Sequence, residues 1–188
     1  MNPDRKGKLL VVTGPSGVGK STIIGEVLRR VDVDYSVSAT TRNPRSGEMD
    51  GRDYRFMKVT EFEKMIDAGD LLEWARIFGN YYGTPRAPVE ESIAMGRTVI
   101  LEIDVQGGLQ VYKKMPEETF VLIVPPSRDE LRSRLDSRGT ESEETLQRRL
   151  ERSEEELKLA RESGIYTNEI VNNQLETTIE KLVALARK

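Results

Sequence analysis

Four short apolar runs are the first pattern along the chain. Residues 8–13, 98–103 and 119–124 are mainly apolar and have the length of buried strands, and a shorter run at 169–171 has the same character. Helical patterns separate these runs. Apolar strands that alternate with helices are typical of an α/β fold with a mostly parallel sheet.

The helical patterns have recognisable starts and faces. Residues 20–30 predict a helix directly after the first strand, and a final helix begins at about Leu175. Ser127 followed by Glu130 has the spacing of a capping box and predicts another helix start. Four apolar side chains share one face of the helix at 20–30: Ile23, Ile24, Val27 and Leu28.

Two stretches interrupt this alternation. Residues 35–82 combine short strand-like pieces with one helix at about 60–68 and are rich in Arg, Tyr and Gly. Residues 132–152 are almost entirely charged. A solvated helix with i,i+4 ion pairs is an open alternative to a functional role for that second stretch.

The pattern predicts one domain over residues 1–188, with two excursions from its core. We expect an inserted lobe at about 36–89 and a helical lid at about 132–152. The core then consists of residues 1–35, 90–131 and 153–188. Ser36 lies where the chain enters the lobe and is a candidate hinge.

Composition narrows the chemistry. The chain has 188 residues and a net charge of −3, so no global basic field indicates nucleic acid. It contains no Cys and no His, which excludes disulfides, thiol catalysis, Ser-His hydrolysis and Cys- or His-based metal sites. No apolar run has the length of a membrane helix, and we expect a cytoplasmic location.

Residues 14–21 read Gly-Pro-Ser-Gly-Val-Gly-Lys-Ser and match the phosphate-binding loop motif G-x-x-x-x-G-K-[ST] in full. The strand before the motif and the helix after it are the expected context. Glycines let main-chain N–H groups point at a phosphate, Lys20 reaches the β and γ phosphates, and the Ser21 hydroxyl can bind Mg²⁺ together with waters. The expected contact residues are Gly14, Pro15, Ser16, Gly17, Val18, Gly19, Lys20, Ser21 and Thr22.

A second group of residues suits a phosphorylated acceptor. Arg42 and Arg45 flank Pro44 and form a basic corner, and arginine binds phosphate oxygens well. Glu73 is an acid within an otherwise apolar stretch. An edge-strand acid that faces solvent is the alternative for Glu73.

Together these segments resemble the guanylate kinase family over nearly all of the chain. The resemblance includes the loop at 14–21, Ser-Ala-Thr-Thr-Arg at 38–42, Glu-Trp-Ala at 73–75 and Leu-Glu-Ile-Asp-Val-Gln-Gly at 101–107. It implies a P-loop NTPase-type fold and transfer of the γ-phosphoryl group of ATP to GMP, with Mg²⁺. From the charge and the apolar run lengths we expect no nucleic-acid or membrane partner, and we expect a monomer or weak homo-oligomer.

The resemblance also implies site roles. The GMP phosphate would be held by Arg42, Arg45, Tyr54 and Tyr82. Guanine would be read by Ser38, Glu73 and Thr84, while Glu102 and Asp104 would face the acceptor and the water shell of the metal. The transferring phosphoryl group would be neutralised by the catalytic cations Lys20, Arg42, Arg134, Arg138 and Arg149.

Two alternatives to this enzyme remain open. Guanylate-kinase-like modules can bind peptides without catalysis, and another monophosphate, such as AMP or dTMP, could be the acceptor. The intact loop argues against the first, and Glu73 with Ser38 argues against the second. The chain departs from the family near Asn172 and Asn173, where contacts to adenine are expected.

Overall fold

A computed structural model describes residues 7–136 and 142–187. Its main sheet has five parallel strands in the order β2-β7-β1-β8-β9. These are β1 (Lys8–Thr13), β2 (Asp34–Tyr35), β7 (Thr98–Glu102), β8 (Thr119–Val124) and β9 (Asn168–Val171). The predicted α/β fold with a parallel sheet is confirmed.

Helices cover both faces of this sheet because its central strands are apolar on both sides. On β1, Leu10 and Val12 share one buried cluster with Val27, whereas Leu9 and Val11 belong to another. Burying each such side chain contributes about 1.5–3 kcal/mol. The flanking helices are α1 (Lys20–Arg30), α3 (Arg86–Ala94), α4 (Val105–Lys114) and α7 (Leu175–Arg187).

A second, four-stranded sheet lies between β2 and α3 in the chain. It has the order β4-β3-β6-β5 and holds the helix α2 (Val59–Ala68), whose Phe62 is buried with Ala39 and Leu71. The strands are β3 (Ala39–Thr40), β4 (Arg55–Phe56), β5 (Leu71–Ile77) and β6 (Asn80–Pro85). β5 is an edge strand, and a register shift between Leu71 and Glu73 interrupts its pairing with β6.

The charged stretch contributes to two helices, α5 (Arg128–Asp136) and α6 (Glu143–Ser163). The amide of Glu130 donates to the Ser127 hydroxyl at 3.1 Å, as the capping pattern predicts. Leu131 and Leu135 of α5 pack against Leu146 of α6. Across the described residues, none of the helices combines the length and apolar character needed to cross a membrane.

Candidate active site

The phosphate-binding loop lies at the carboxyl end of β1, where ligands of parallel α/β sheets bind. Gly14, Gly17 and Gly19 have positive φ angles. At Gly14 a Cβ atom would lie 2.3 Å from the carbonyl oxygen of Ile123, so no other residue fits there without a backbone shift. Helix α1 begins at Lys20 directly after the loop, and its N-terminus favours an anion.

The Lys20 ammonium group folds back over the loop. Its Nζ donates to the carbonyl oxygens of Gly14 at 2.6 Å and Pro15 at 3.2 Å. Burial lowers the pKa of Lys20, while Glu102 and Glu156 oppose that shift and favour the charged form. The Lys20 amino group is therefore held inside the loop, where phosphate oxygens could replace the carbonyl partners.

Asn172 connects the loop to the last strand and helix. Its Nδ2 donates to the Val18 carbonyl oxygen at 2.8 Å, and its Oδ1 accepts from Thr178 at 3.0 Å. The side chain is 6% exposed. Both the nitrogen and the oxygen of the Asn172 side-chain amide thus form hydrogen bonds within the protein. The role that the structure gives Asn172 is to support the loop.

Oxygen atoms that could bind a metal ion lie close together at the carboxyl end of β7. Ser21 Oγ donates to Glu102 Oε1 at 3.0 Å, and Asp104 caps α4 by accepting from the amide of Gly107 at 2.8 Å. Hydroxyl and carboxylate oxygens suit Mg²⁺, which usually keeps several waters and substrate phosphates as ligands. In the described parts of the chain, no group of three or more acidic, His or Cys side chains could by itself hold a metal.

A cavity of about 570 Å³ connects this loop to the second sheet. Residues predicted for both nucleotides line it together. From the loop and α1 these are Gly14, Ser16, Lys20 and Ser21, and from the acceptor set they are Ser38, Tyr54, Glu102 and Asp104. Arg149 reaches the same cavity from α6.

Arg42 is surrounded by groups that orient its guanidinium. It forms a two-pronged ion pair with Glu48, at 2.9 Å for each nitrogen, and lies 5.5 Å above the Tyr54 ring. Tyr54 and Tyr82 meet edge to face at 6.0 Å. Arg42 Nε is buried and has no hydrogen-bond partner among the described residues. Arg45 joins this group through its main-chain amide, which donates to Glu48 at 2.7 Å.

Glu73 is buried in the second sheet, at 7% exposure, so the alternative of a solvent-facing acid is wrong. The shift in β5 register makes three successive residues buried and turns this carboxyl inward. Thr84 Oγ1 donates to Glu73 Oε1 at 2.6 Å. Burial, opposed by the hydrogen bond from Thr84 and aided by the nearby Asp104 carboxylate, raises the pKa of Glu73 to about 7.

The charged helices contribute arginines to the loop and also form surface ion pairs. Arg149 donates to the Ser16 hydroxyl at 2.8 Å, and Arg134 donates to the Asn172 carbonyl oxygen at 3.1 Å. Arg148 pairs with Glu144 at i,i+4 spacing, as the solvated-helix interpretation expects. Arg138 lies outside the described residues.

Five polar lining residues, together with the apolar Ile103, are absent from the sequence-based site. Their positions show what signal could have found them. Ser153 and Glu156 follow Arg149 at helical spacing, and Tyr35 ends a strand that is parallel to β7. The five residues are Tyr35, Asp53, Arg152, Ser153 and Glu156.

Known proteins with similar sequences and structures show which family the chain belongs to. The family model described as guanylate kinase matches residues 6–188. The chain is 50% identical over 185 residues to a guanylate kinase of Desulfitobacterium hafniense, covering 97% of this chain and 91% of the relative. It is 53% identical over 179 residues to one of Gloeobacter violaceus, covering 95% and 86%. A crystal structure of guanylate kinase from Anaplasma phagocytophilum matches with a TM-score of 0.77 and 32% identity over 98% of this chain and 86% of that one. The chain therefore belongs to the guanylate kinase family.

Proposed function

We propose that this protein transfers the γ-phosphoryl group of ATP to GMP, giving ADP and GDP. Membership of the guanylate kinase family supports the reaction. The observation that carries the assignment of sites is the shared cavity, in which Lys20 and Ser21 face Ser38 and Tyr54. Two nucleotides bound at its two ends would bring their phosphates together.

The donor end of the cavity consists of residues 14–22. Main-chain amides and the α1 N-terminus bind the ATP phosphates, and Lys20 exchanges its contacts with Gly14 and Pro15 for β and γ phosphate oxygens. Arg149, already 2.8 Å from Ser16, supplies a second positive charge to the transferred group. Arg134 and Arg138 complete the set of lid cations in this proposal.

The acceptor end holds GMP. Arg42 offers a buried Nε that has no hydrogen-bond partner within the described ranges, and such an N–H is costly until an acceptor binds it. The GMP phosphate supplies that acceptor, with Arg45, Tyr54 and Tyr82 around it. Ser38, Glu73 and Thr84 read the base, because one carboxylate can accept from the adjacent N1–H and N2–H of guanine. Adenine lacks this donor pair and would leave Glu73 unpaired.

No general base is needed, because the attacking atom is already an anionic phosphate oxygen. Catalysis then rests on alignment of the two nucleotides and on neutralisation of charge by Lys20 and the arginines. We expect direct in-line transfer without a covalent enzyme intermediate.

The oxygen atoms at the end of β7 fit a Mg²⁺ ion that is bound to the nucleotide phosphates and to water. They belong to Ser21, Glu102 and Asp104. When bound, the metal neutralises charge on the β and γ phosphates. The Ser21 hydroxyl, now donating to Glu102, would become a ligand.

The domain division belongs to the same proposal. Residues 36–89 form the GMP-binding lobe and 132–152 the lid, and their closure over the nucleotides excludes water from the transfer. We further propose that the protein acts in the cytoplasm as a monomer or weak homo-oligomer, with the two nucleotides as its partners rather than nucleic acid.

A coupled assay with ATP, Mg²⁺ and a panel of GMP, AMP and dTMP tests the proposal. We expect turnover with GMP and far weaker turnover with the other two. Preference for another monophosphate would contradict the assignment of the acceptor end. No turnover with any of them would favour the binding-module alternative.

A further inference from the structure

Helix α4 presents three residues towards β5, the strand that carries Glu73. Gly107, Gln110 and Lys114 are spaced at three and four residues and therefore share one helix face. Each of the three meets β5 or the Glu73 side chain. The same helix is capped by Asp104, which lines the cavity.

Gln110 binds the exposed edge of β5 at Trp74. Its Nε2 donates to the Trp74 carbonyl oxygen at 3.0 Å, and its Oε1 accepts from the Trp74 amide at 3.2 Å. One side-chain amide thus satisfies both outward main-chain groups of a residue on an edge strand. Such groups otherwise lie open to solvent or to another chain.

Lys114 holds the same strand on the other side of Glu73. Its Nζ donates to the Leu71 carbonyl oxygen at 2.7 Å. The register shift lies between Leu71 and Glu73, so β5 departs from regular pairing with β6 directly before Glu73. Regular pairing with β6 therefore does not fix the direction of the Glu73 side chain. The main chain is therefore held by α4 just before and just after Glu73.

The carboxyl group itself lies against α4. A Cβ atom at Gly107 would be 3.1 Å from Glu73 Oε2, whereas Oε1 accepts from Thr84. The position of the carboxyl is consequently set by two neighbours, Thr84 on β6 and the start of α4. Gln110 is the residue that joins α4 to the main chain of β5 with two hydrogen bonds.

We propose that Gln110 is a positioning residue for the guanine-reading carboxylate, acting through the main chain of Trp74 to fix where Glu73 points. This inference rests on the proposed function, because it concerns the selectivity of the GMP site. Recognition groups need to be held within about 0.5 Å of the productive geometry, and supporting hydrogen bonds provide that precision. Loss of the Gln110 contacts would let Glu73 shift relative to the two adjacent N–H donors of guanine.

The test compares Gln110→Met with Lys113→Met. Methionine keeps the length of Gln110 but removes both hydrogen bonds, and Lys113 is an exposed residue of the same helix. Both variants and the unaltered protein are assayed with GMP and with inosine monophosphate, which lacks the 2-amino group. We expect Gln110→Met to lower kcat/KM about tenfold for GMP and about threefold for inosine monophosphate, because only guanine uses both carboxylate contacts.

In Gln110→Met we expect the KM for ATP to stay within about twofold of that of the unaltered protein. In Lys113→Met we expect the same of kcat/KM for both acceptors, since among the described residues Lys113 forms no hydrogen bond with the strand that carries the carboxylate. An equal loss for both acceptors, with the GMP preference kept, would mean that Gln110 only stabilises the fold and would overturn the proposal. Unchanged kinetics would overturn it too.

Lys114→Met provides an independent variant, with a smaller expected loss of GMP preference. If Gln110→Met does not fold by circular dichroism, this variant decides the matter. If neither folds, the pair is required for folding and the positioning role is wrong. If the original protein does not prefer GMP, the proposed function fails irrespective of Gln110.

Discussion

The two ends of the cavity are built in different ways. The donor end is one continuous segment, residues 14–22, between a buried strand and a helix. The proposed acceptor site is assembled from β5, β6 and the segments around β3 and β4, and of its residues on these segments Ser38 and Tyr54 line the cavity. A continuous segment carries its geometry in its own backbone, whereas an assembled site depends on the register of several strands.

This difference predicts how each end responds to change. At the proposed donor end, most ligand contacts would come from main-chain amides, so we expect few side chains to matter and each of these to matter greatly. At the acceptor end, Glu73 and Arg42 are held by neighbours such as Thr84 and Glu48. Substitutions there should produce graded changes in affinity and selectivity.

The largest effect is expected for Lys20→Ala. Removal of the ammonium group from the donor loop should lower kcat by roughly 10³-fold, as for loss of a preorganised group that stabilises transition-state charge. GMP affinity should stay largely intact, because Lys20 contacts the loop rather than the second sheet. Steady-state kinetics and calorimetric titration with GMP measure the two quantities. An equal loss of GMP binding would show that the two ends are not separate.

Glu73→Gln should have the next largest effect, and only on the acceptor. An amide presents an N–H where guanine also presents one, so kcat/KM for GMP should fall about 100-fold while weak activity with AMP changes little. Glu91→Gln, an exposed change on α3, serves as the control. Unaltered discrimination between GMP and AMP would remove Glu73 from the site.

Ser36→Pro tests whether Ser36 acts as a hinge between the main sheet and the second sheet. The Ser36 amide donates to the Ile100 carbonyl oxygen at 2.9 Å, next to the short pairing of β2 with β7. Proline removes that donor and fixes φ where the chain enters the second sheet. We expect kcat to fall roughly tenfold through impaired closure. Ser36→Ala keeps the amide and should behave like the original protein; equal kinetics for proline and alanine would contradict the hinge.

The same contrast explains what could be predicted from sequence. The strand at 8–13 and the helix at 20–30 match the structure at both bounds, because strong apolar runs and the loop motif mark them. The hydrophobic pattern could not predict the inward direction of Glu73, which the family resemblance implies, because that direction comes from a register shift between β5 and β6. The alternation of apolar and polar residues alone does not decide whether an acid on an edge strand faces solvent or the protein interior.

Helix α4 shows a second limit. Gly107 and Gly108 disfavour a helix by propensity, although residues 105–114 form α4. Both glycines allow close approach, since a Cβ atom would lie 2.1 Å from the Tyr166 hydroxyl at Gly108 and 3.1 Å from Glu73 Oε2 at Gly107. Tertiary contacts therefore override local preference at the helix that holds Glu73 in place.

The smallest predicted effect concerns pH, and it separates the two ends without a loss of structure. Because the pKa of Glu73 is about 7, the carboxylate that guanine needs is depleted as pH falls. KM for GMP should rise about fourfold from pH 8 to pH 6.5, and KM for ATP should change little. The GMP phosphate also titrates, with a pKa near 6, so Glu73→Gln is the control in which only that smaller dependence remains.

The same shift has a consequence for stability with the opposite sign. The folded pKa of Glu73 lies above its ordinary value of 4.5, so the folded state binds this proton more tightly than the unfolded state does. The nucleotide-free protein should lose stability as pH rises from about 4.5 through 7, with no further loss once the carboxyl is ionised, and Glu73→Gln should remove that loss. Thermal melts of both proteins at pH 6 and pH 8 measure it. If the pH dependence of both KM and melting is identical in the two proteins, Glu73 does not titrate over this pH range and its ionisation does not control GMP binding.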